Sequence, residues 1–257
     1  MNSREIKYHV DKLGIDNKGK ILVYKYIDFS GAISLLNEKC FKFSRSQDFN
    51  DPFDLYDELI DFKKFEPLSF ENLTREQKRN IKKTPLKKLE EKLKVEWKKH
   101  RINFGVSCFS KNYDNILMWS HYADKHQGVC IGLEIDANKL LDDGFITLAV
   151  EYENTFVPVP YFDKDEKKRA DVIMRYLSTK ASFWNYEQEI RIVNFDFFNK
   201  YNSQFFNFDK YAEVKTVLIG LKMKVANKTT LKKTIKNQKN ISIHEMKTVP
   251  NNFGLMK

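Results

Sequence analysis

Short runs rich in β-branched and aromatic residues recur along the chain, and their spacing is too uneven for a regular βαβ alternation. Lys20–Tyr26 (KILVYKY), Cys40–Ser44 (CFKFS), Phe104–Ser110 (FGVSCFS), Gly128–Ile135 (GVCIGLEI), Thr147–Tyr152 (TLAVEY), Tyr186–Val193 (YEQEIRIV), Val214–Ile219 (VKTVLI) and Ile241–Met246 (ISIHEM) each read as a strand. Helical spacing falls between some of them. It covers Phe29–Glu38 with Asp28 or Ser30 as N-cap, Asn115–Ala123, Lys167–Trp184 with Asp163 or Asp165 as cap, and Asn227–Ile235. The nine glycines never cluster into a phosphate-binding loop, which argues against a doubly wound fold. The expectation is one α+β domain over residues 1–257, built on a mixed, largely antiparallel sheet with inserted helices.

A chain of 257 residues is long enough to bury a sizeable core. Its 42% hydrophobic and 14% aromatic content excludes disorder over the bulk of it. No apolar window approaches a bilayer span, and Met1–Lys20 is charged throughout, so a cytoplasmic protein with no membrane partner is expected. The three cysteines form no CxxC and the five histidines are scattered; reduced thiols and no metal site are expected.

The net charge of +10 is concentrated in one place. Residues 75–101 hold twelve Lys/Arg and four acids, so 12 − 4 = +8, and the remainder is close to neutral. This stretch belongs to a basic helical insertion over 55–101, broken at Thr84-Pro85 because the residue before proline leaves the helical region. Leu86, Leu89, Leu93 and Trp97 form a hydrophobic stripe on it, with lysines on the other face. Nucleic-acid attraction and a plainly solvated face both fit that pattern.

Several polar residues invite chemistry. Glu187 and Glu189 lie two apart on an expected strand, so both point to one face, shared with Arg191. Paired carboxylates suit acid/base or cation-stabilising work; the bland alternative is a surface ion pair with Arg191. Ile190 and Ile192 would then be buried, leaving Glu189 on the outer face with little part in packing. Trp184 and Tyr186 are placed to stack on a flat ring. Lys180, Arg45 and Arg191 fit either a diphosphate or a salt bridge. Around Pro52, Asn50, Asp51 and Asp54 read as turn and helix caps, or as a divalent-metal or ligand-orienting site. His121 sits in NILMWSHYA, a helix expected to be buried nearly all round, as a core residue or a general base.

The blocks YKYIDFSGAISLL, FSRSQDFNDPFD, SCFSKNYDNILMWSHYADKHQGVCIGLEI and KASFWNYEQEIRI together resemble the bacterial family catalogued as domain of unknown function 2971. That resemblance implies bacterial kin often encoded near phage-defence genes. The order of blocks also resembles the ADP-ribosyltransferase fold, although the first strand offers Lys25 in place of a His or Arg. This second resemblance implies an NAD-using transferase, with Glu189 as catalytic carboxylate and Glu187 as its partner. Tyr24, Lys25, Tyr26, Ser107, Ser110, Trp184, Asn50 and His121 would lie around the dinucleotide. Two other classes stand beside it. One is a non-catalytic nucleic-acid-binding or sensing module of a defence system, acting through residues 75–101. The other is a metal-dependent nuclease using Asp51, Asp54 and a glutamate. A cleft shared by Glu187, Glu189, Lys25 and Ser107 would favour the transferase.

Overall fold

The β-branched runs pair into one seven-stranded sheet in the computed structural model, which describes residues 13–63, 74–161, 166–236, 238 and 240–257. Its strands are β1 (Lys20–Ile27), β2 (Gly105–Ser110), β3 (Val129–Asp136), β4 (Ile146–Ala149), β5 (Glu189–Asn194), β6 (Ala212–Ile219) and β7 (Ser242–Glu245). Their order is β7-β6-β3-β1-β2-β5-β4. Every neighbouring pair is antiparallel except β6–β7. Among the inserted helices are α1 (Phe29–Glu38), α2 (Arg75–Lys83), α3 (Leu86–Arg101), α4 (Ile116–Tyr122), α5 (Glu166–Ser178) and α6 (Val225–Ile235), with short helical turns at Ala137–Asp142 and Phe197–Lys200. Asp28 caps α1 by accepting from Gly31 N, and Asn115 caps α4 by accepting from Leu117 N and Met118 N. Among the described residues, no helix is long and apolar enough to cross a membrane.

Alternation along the strands builds different layers on the two faces. One face carries Val23, Phe109, Ile131, Ile190 and Ile192, which join Leu35 and Leu36 of α1, Leu231 and Ile235 of α6, and Phe41, Phe43, Phe197 and Phe208 in one core. The other face carries two separate apolar clusters. Met118 and Trp119 of α4 cover Tyr24, Tyr26, Cys130 and Leu218. Trp97 of α3 with Tyr176 and Leu177 of α5 covers Val106, Leu148 and Val193.

Between those clusters the sheet has a seam. β1 is registered against β3 at every position from Lys20 to Ile27, but against β2 only at Tyr24↔Ser110. The rest of that edge of β2 is completed differently. Val106 and Ser44 exchange backbone hydrogen bonds at 2.9 and 3.0 Å. The Cys108 carbonyl accepts from Lys25 Nζ at 2.7 Å.

Several expectations need correction. The run YEQEIRIV becomes a strand only at Glu189; Ser182–Glu187 is a 3-10 turn, and Gln188 takes a left-handed φ of 43°. The helix expected to reach Trp184 ends at Ser178, and Thr179–Ala181 pairs in parallel with Glu151–Glu153 instead, a conformation that suits β-branched Thr179. Its supposed caps Asp163 and Asp165 lie outside the described residues. The basic insertion is not helical from residue 55: Asp57–Leu59 is a 3-10 turn and Ile60–Asp61 a short strand. Leu86 is exposed, so the buried stripe of α3 begins at Leu89. α4 is buried on one side only, with Ile116, Leu117 and His121 exposed.

Candidate active site

Five charged side chains are buried together on the side of the sheet that carries the seam. Arg191, on β5, is fully buried. Its Nε donates to Glu189 Oε1 at 2.8 Å, its Nη2 to both carboxylate oxygens of Asp54 at 2.7 Å, and its Nη1 to the Leu177 carbonyl at 2.8 Å. Lys180 Nζ reaches Glu187 Oε2 at 2.6 Å, Glu189 Oε2 at 2.9 Å and Asp54 Oδ2 at 3.2 Å. Glu187 thus comes from a turn and Glu189 from a strand, and they converge on one ammonium. The left-handed Gln188 makes this possible, because in a regular strand the two glutamates would stand side by side along one face. Asp54 arrives from the turn after Pro52. There Asp51 caps as expected, its Oδ1 accepting from Phe53 N at 2.9 Å and its carbonyl from Asp54 N at 3.2 Å.

The remaining bonds fix the carboxyls in place. Tyr122 OH donates to Glu187 Oε1 at 2.6 Å, and Asn50 Nδ2 donates to that hydroxyl at 3.3 Å. Ser110 Oγ donates to the Glu187 carbonyl at 2.6 Å. Glu189 N donates to Tyr152 OH at 2.9 Å. Lys180 Nζ also lies 5.2 Å from the ring of Trp184.

The two glutamates are driven apart in acidity. Burial pushes the Glu187 carboxyl up, with the Glu189 charge adding to it, and Lys180 only partly opposes this. Burial acts on Glu189 in the same sense, but Arg191 and Lys180 outweigh it and hold that carboxyl well below the usual range. Burial would lower Lys180, yet Glu189 and Asp54 keep it firmly protonated. With all five groups ionised the charge is 2 − 3 = −1, so a proton on Glu187 brings the cluster to neutrality. Such divergence suits Glu187 to carrying a proton and Glu189 to remaining an anion.

The linkage has a definite sign. Glu187, raised on folding, contributes stability that is fully present below its unfolded value near 4.5 and is lost as pH rises through its folded value. Glu189, depressed on folding, contributes stability that is lost only as pH falls below that same region. The expected result is that the parent loses stability relative to Glu187→Gln as pH rises from about 4.5 towards 7. Melting temperatures of both proteins across that range check it, and a constant difference refutes it.

A cleft of about 320 Å³ opens at the seam above this cluster. Tyr24, Lys25, Tyr26, Asn50, Ser110, Glu187 and Glu189, all singled out in the sequence, line it together with Asp48, Phe49, Asp54, Cys108, Phe109, Met118, Tyr122 and Lys180. Gly132 makes room for Tyr24, because a Cβ there would stand 3.0 Å from the tyrosine ring. Burial lowers the Lys25 ammonium from its ordinary value. Ser107 is not part of the cleft: it is registered with Ile192, two residues along β2 from Phe109, which does line it. His121 is exposed outside the lining, with Nδ1 2.9 Å from Tyr186 OH. Phe49, Tyr122 and Tyr152 were not anticipated. The FND and SHY strings held Phe49 and Tyr122 in plain view, but nothing local says that a ring 65 residues away will bond Glu187.

Among the described residues, no group of three or more His, Cys, Asp or Glu is placed to hold a metal ion. No curated protein and no solved structure matches the chain. Residues 118–192 match the family described as Protein of unknown function (DUF2971), a span that holds Tyr122, Lys180, Glu187, Glu189 and Arg191.

Proposed function

We propose that the chain is an NAD-using transferase of the ADP-ribosyltransferase type, acting as an effector in bacterial phage defence, with the seam cleft as its donor site. The observation that carries this reading is the convergence of Glu187 and Glu189 on Lys180 at the floor of a cleft walled by aromatic rings. Tyr24, Tyr26, Phe49, Phe109 and Tyr122 suit the flat rings of a dinucleotide. Lys25, which lines the seam cleft, offers an amine donor to the phosphates. In the transfer, the bond between nicotinamide and ribose breaks with its electron pair leaving on nicotinamide, and the acceptor forms the new bond to that ribose carbon. Glu189, kept ionised and held in place by Arg191, would stabilise the positive charge that develops on the ribose. Glu187, with its raised affinity for a proton, is the better recipient of the acceptor's proton. The nuclease reading is weaker because Asp54 is already held by Arg191 and Lys180, and Asp51 caps its own turn.

NAD in hundredfold excess over its dissociation constant is expected to stabilise the protein by about 2–3 kcal/mol through mass action, read as a rise in melting temperature. No rise at millimolar NAD, alongside a clear rise with Mg²⁺ or Mn²⁺, would overturn the transferase in favour of metal-dependent chemistry.

A further inference from the structure

The segment from Phe53 to Asp57 stands between α3 and the buried ionic cluster. Asp54 points inward to Arg191 and Lys180. Leu55 and Asp57 are tied to α3, since Arg101 Nη1 donates to the Leu55 carbonyl at 3.2 Å and Trp97 Nε1 donates to Asp57 Oδ1 at 3.1 Å. Phe53 projects outward and is 61% exposed, as is Phe156 at 40%. Tyr56 stands edge-on between them, its ring centroid 5.7 Å from Phe53 and 6.4 Å from Phe156. Beneath these rings lies a cavity of about 180 Å³ that Lys180 also lines, so that one lysine borders both this cavity and the seam cleft. On its other side Tyr56 borders a groove of about 540 Å³ along α3, where Lys94 and Lys98 stand.

We infer that this surface takes a single-stranded nucleic acid, with bases on Phe53 and Phe156 and phosphates along the lysine face of α3. Residues 75–101 carry the +8 that phosphates require. Aromatic platforms are missing from that segment itself, and the fold supplies them from two other loops. Exposed rings beside the lysine face of a helix suit unpaired bases, whose faces are free; a duplex hides them. An anionic bilayer is disfavoured because the stripe of α3 that would enter it, Leu89, Leu93 and Trp97, is packed inward. The groove itself is lined by four acids, which are engaged: Asp57 bonds Trp97 and Arg101, Glu90 bonds Lys94, Asp61 accepts from Lys63 N, and Glu58 meets the Tyr56 hydroxyl, so the phosphates lie on the exposed lysines of α3. The shared Lys180 makes the nucleic acid the acceptor of the proposed transfer; that role rests on the transferase reading, whereas the binding does not.

The test is fluorescence anisotropy of short labelled single-stranded DNA and RNA oligonucleotides with the full chain and no NAD. Affinity is expected to fall steeply with salt, and less steeply when Lys87, Lys88, Lys92, Lys98 and Lys99 are changed together to Gln. Phe53→Ala and Phe156→Ala should each weaken binding about tenfold or more, and a duplex of the same sequence should bind less tightly. These side chains are exposed, so unchanged melting temperatures verify the fold of each variant. Equal binding of duplex and single strand with no effect of the Phe changes overturns the inference. So does the absence of oligonucleotide binding, with or without sedimentation of the protein on phosphatidylserine vesicles. NAD titration of the Phe53→Ala protein separates the two readings, because it reports on the seam cleft alone.

Discussion

Arg191→Met is expected to destabilise the protein by about 3–5 kcal/mol, the loss seen when one member of a buried ion cluster is removed. Arg191 is fully buried and serves two carboxylates and a carbonyl at once. Methionine fills much of the volume but leaves Asp54 and Glu189 with Lys180 as their shared cation. For a chain of this size the melting temperature should fall on the order of 10 °C. Arg191→Lys should fall between parent and methionine variant, since an ammonium keeps the charge but cannot reach Asp54, Glu189 and the Leu177 carbonyl together. Thermal denaturation decides it. A methionine variant that melts with the parent would mean the cluster contributes nothing net to the fold.

The second large effect is expected from Glu189→Gln. Alternation along the strand suggested an outward carboxylate, for which the amide would cost less than about 1 kcal/mol. Glu189 is instead buried between Arg191 and Lys180. Losing its charge should therefore lower stability by about 1.5–3 kcal/mol, the range for hydrogen bonds to charged groups. If it steadies a developing cation, the same change should slow the transfer at least about a hundredfold. Stability and turnover thus fall together, and neither measurement alone assigns the role. The control is Glu187→Gln, which keeps the shape of the side chain beside Lys180 and removes the charge that burial disfavours there. It should leave the melting temperature at pH 7 no lower than the parent's while removing the proton acceptor. A fully active Glu189→Gln protein would eliminate the proposed mechanism whatever its stability.

How far such a site can be read from sequence depends on the range of the forces involved. Alternation placed Ile190 and Ile192 in the core and Arg191 beside Glu189 correctly, because a strand's period of two is a local property. Alternation also set Glu187 on that strand, and there it failed. A glutamine with positive φ has no signature as strong as glycine's, so the turn before Glu189 was invisible. Asp54 was weighed as a cap or a metal ligand; its guanidinium partner on β5 lies 137 residues away, and only the tertiary fold brings the two together. Ser107 and Ser110 differ in parity, yet the seam admits residues of both parities such as Phe109 and Ser110, so alternation alone did not decide which of the two serines lines the cleft. The lysine face of α3 was evident from charge alone, but the rings beside it came from loops whose proximity no pattern encodes.

The seam has a mechanical meaning. To one side of the cleft, β1 and β3 are laced by a continuous ladder and β3 and β6 by one broken only at a bulge near Val214; to the other, β2 and β5 are registered along their whole shared length. Across the seam the two leaves are joined by the pair Tyr24↔Ser110 and by the Lys25 ammonium on the Cys108 carbonyl. Resistance to spreading therefore resides in a few bonds, one of them on a flexible side chain, while each leaf stays stiff. A ligand that engages Lys25 also touches the fastener of the two leaves, so occupancy of the cleft and the width of its mouth are a single variable.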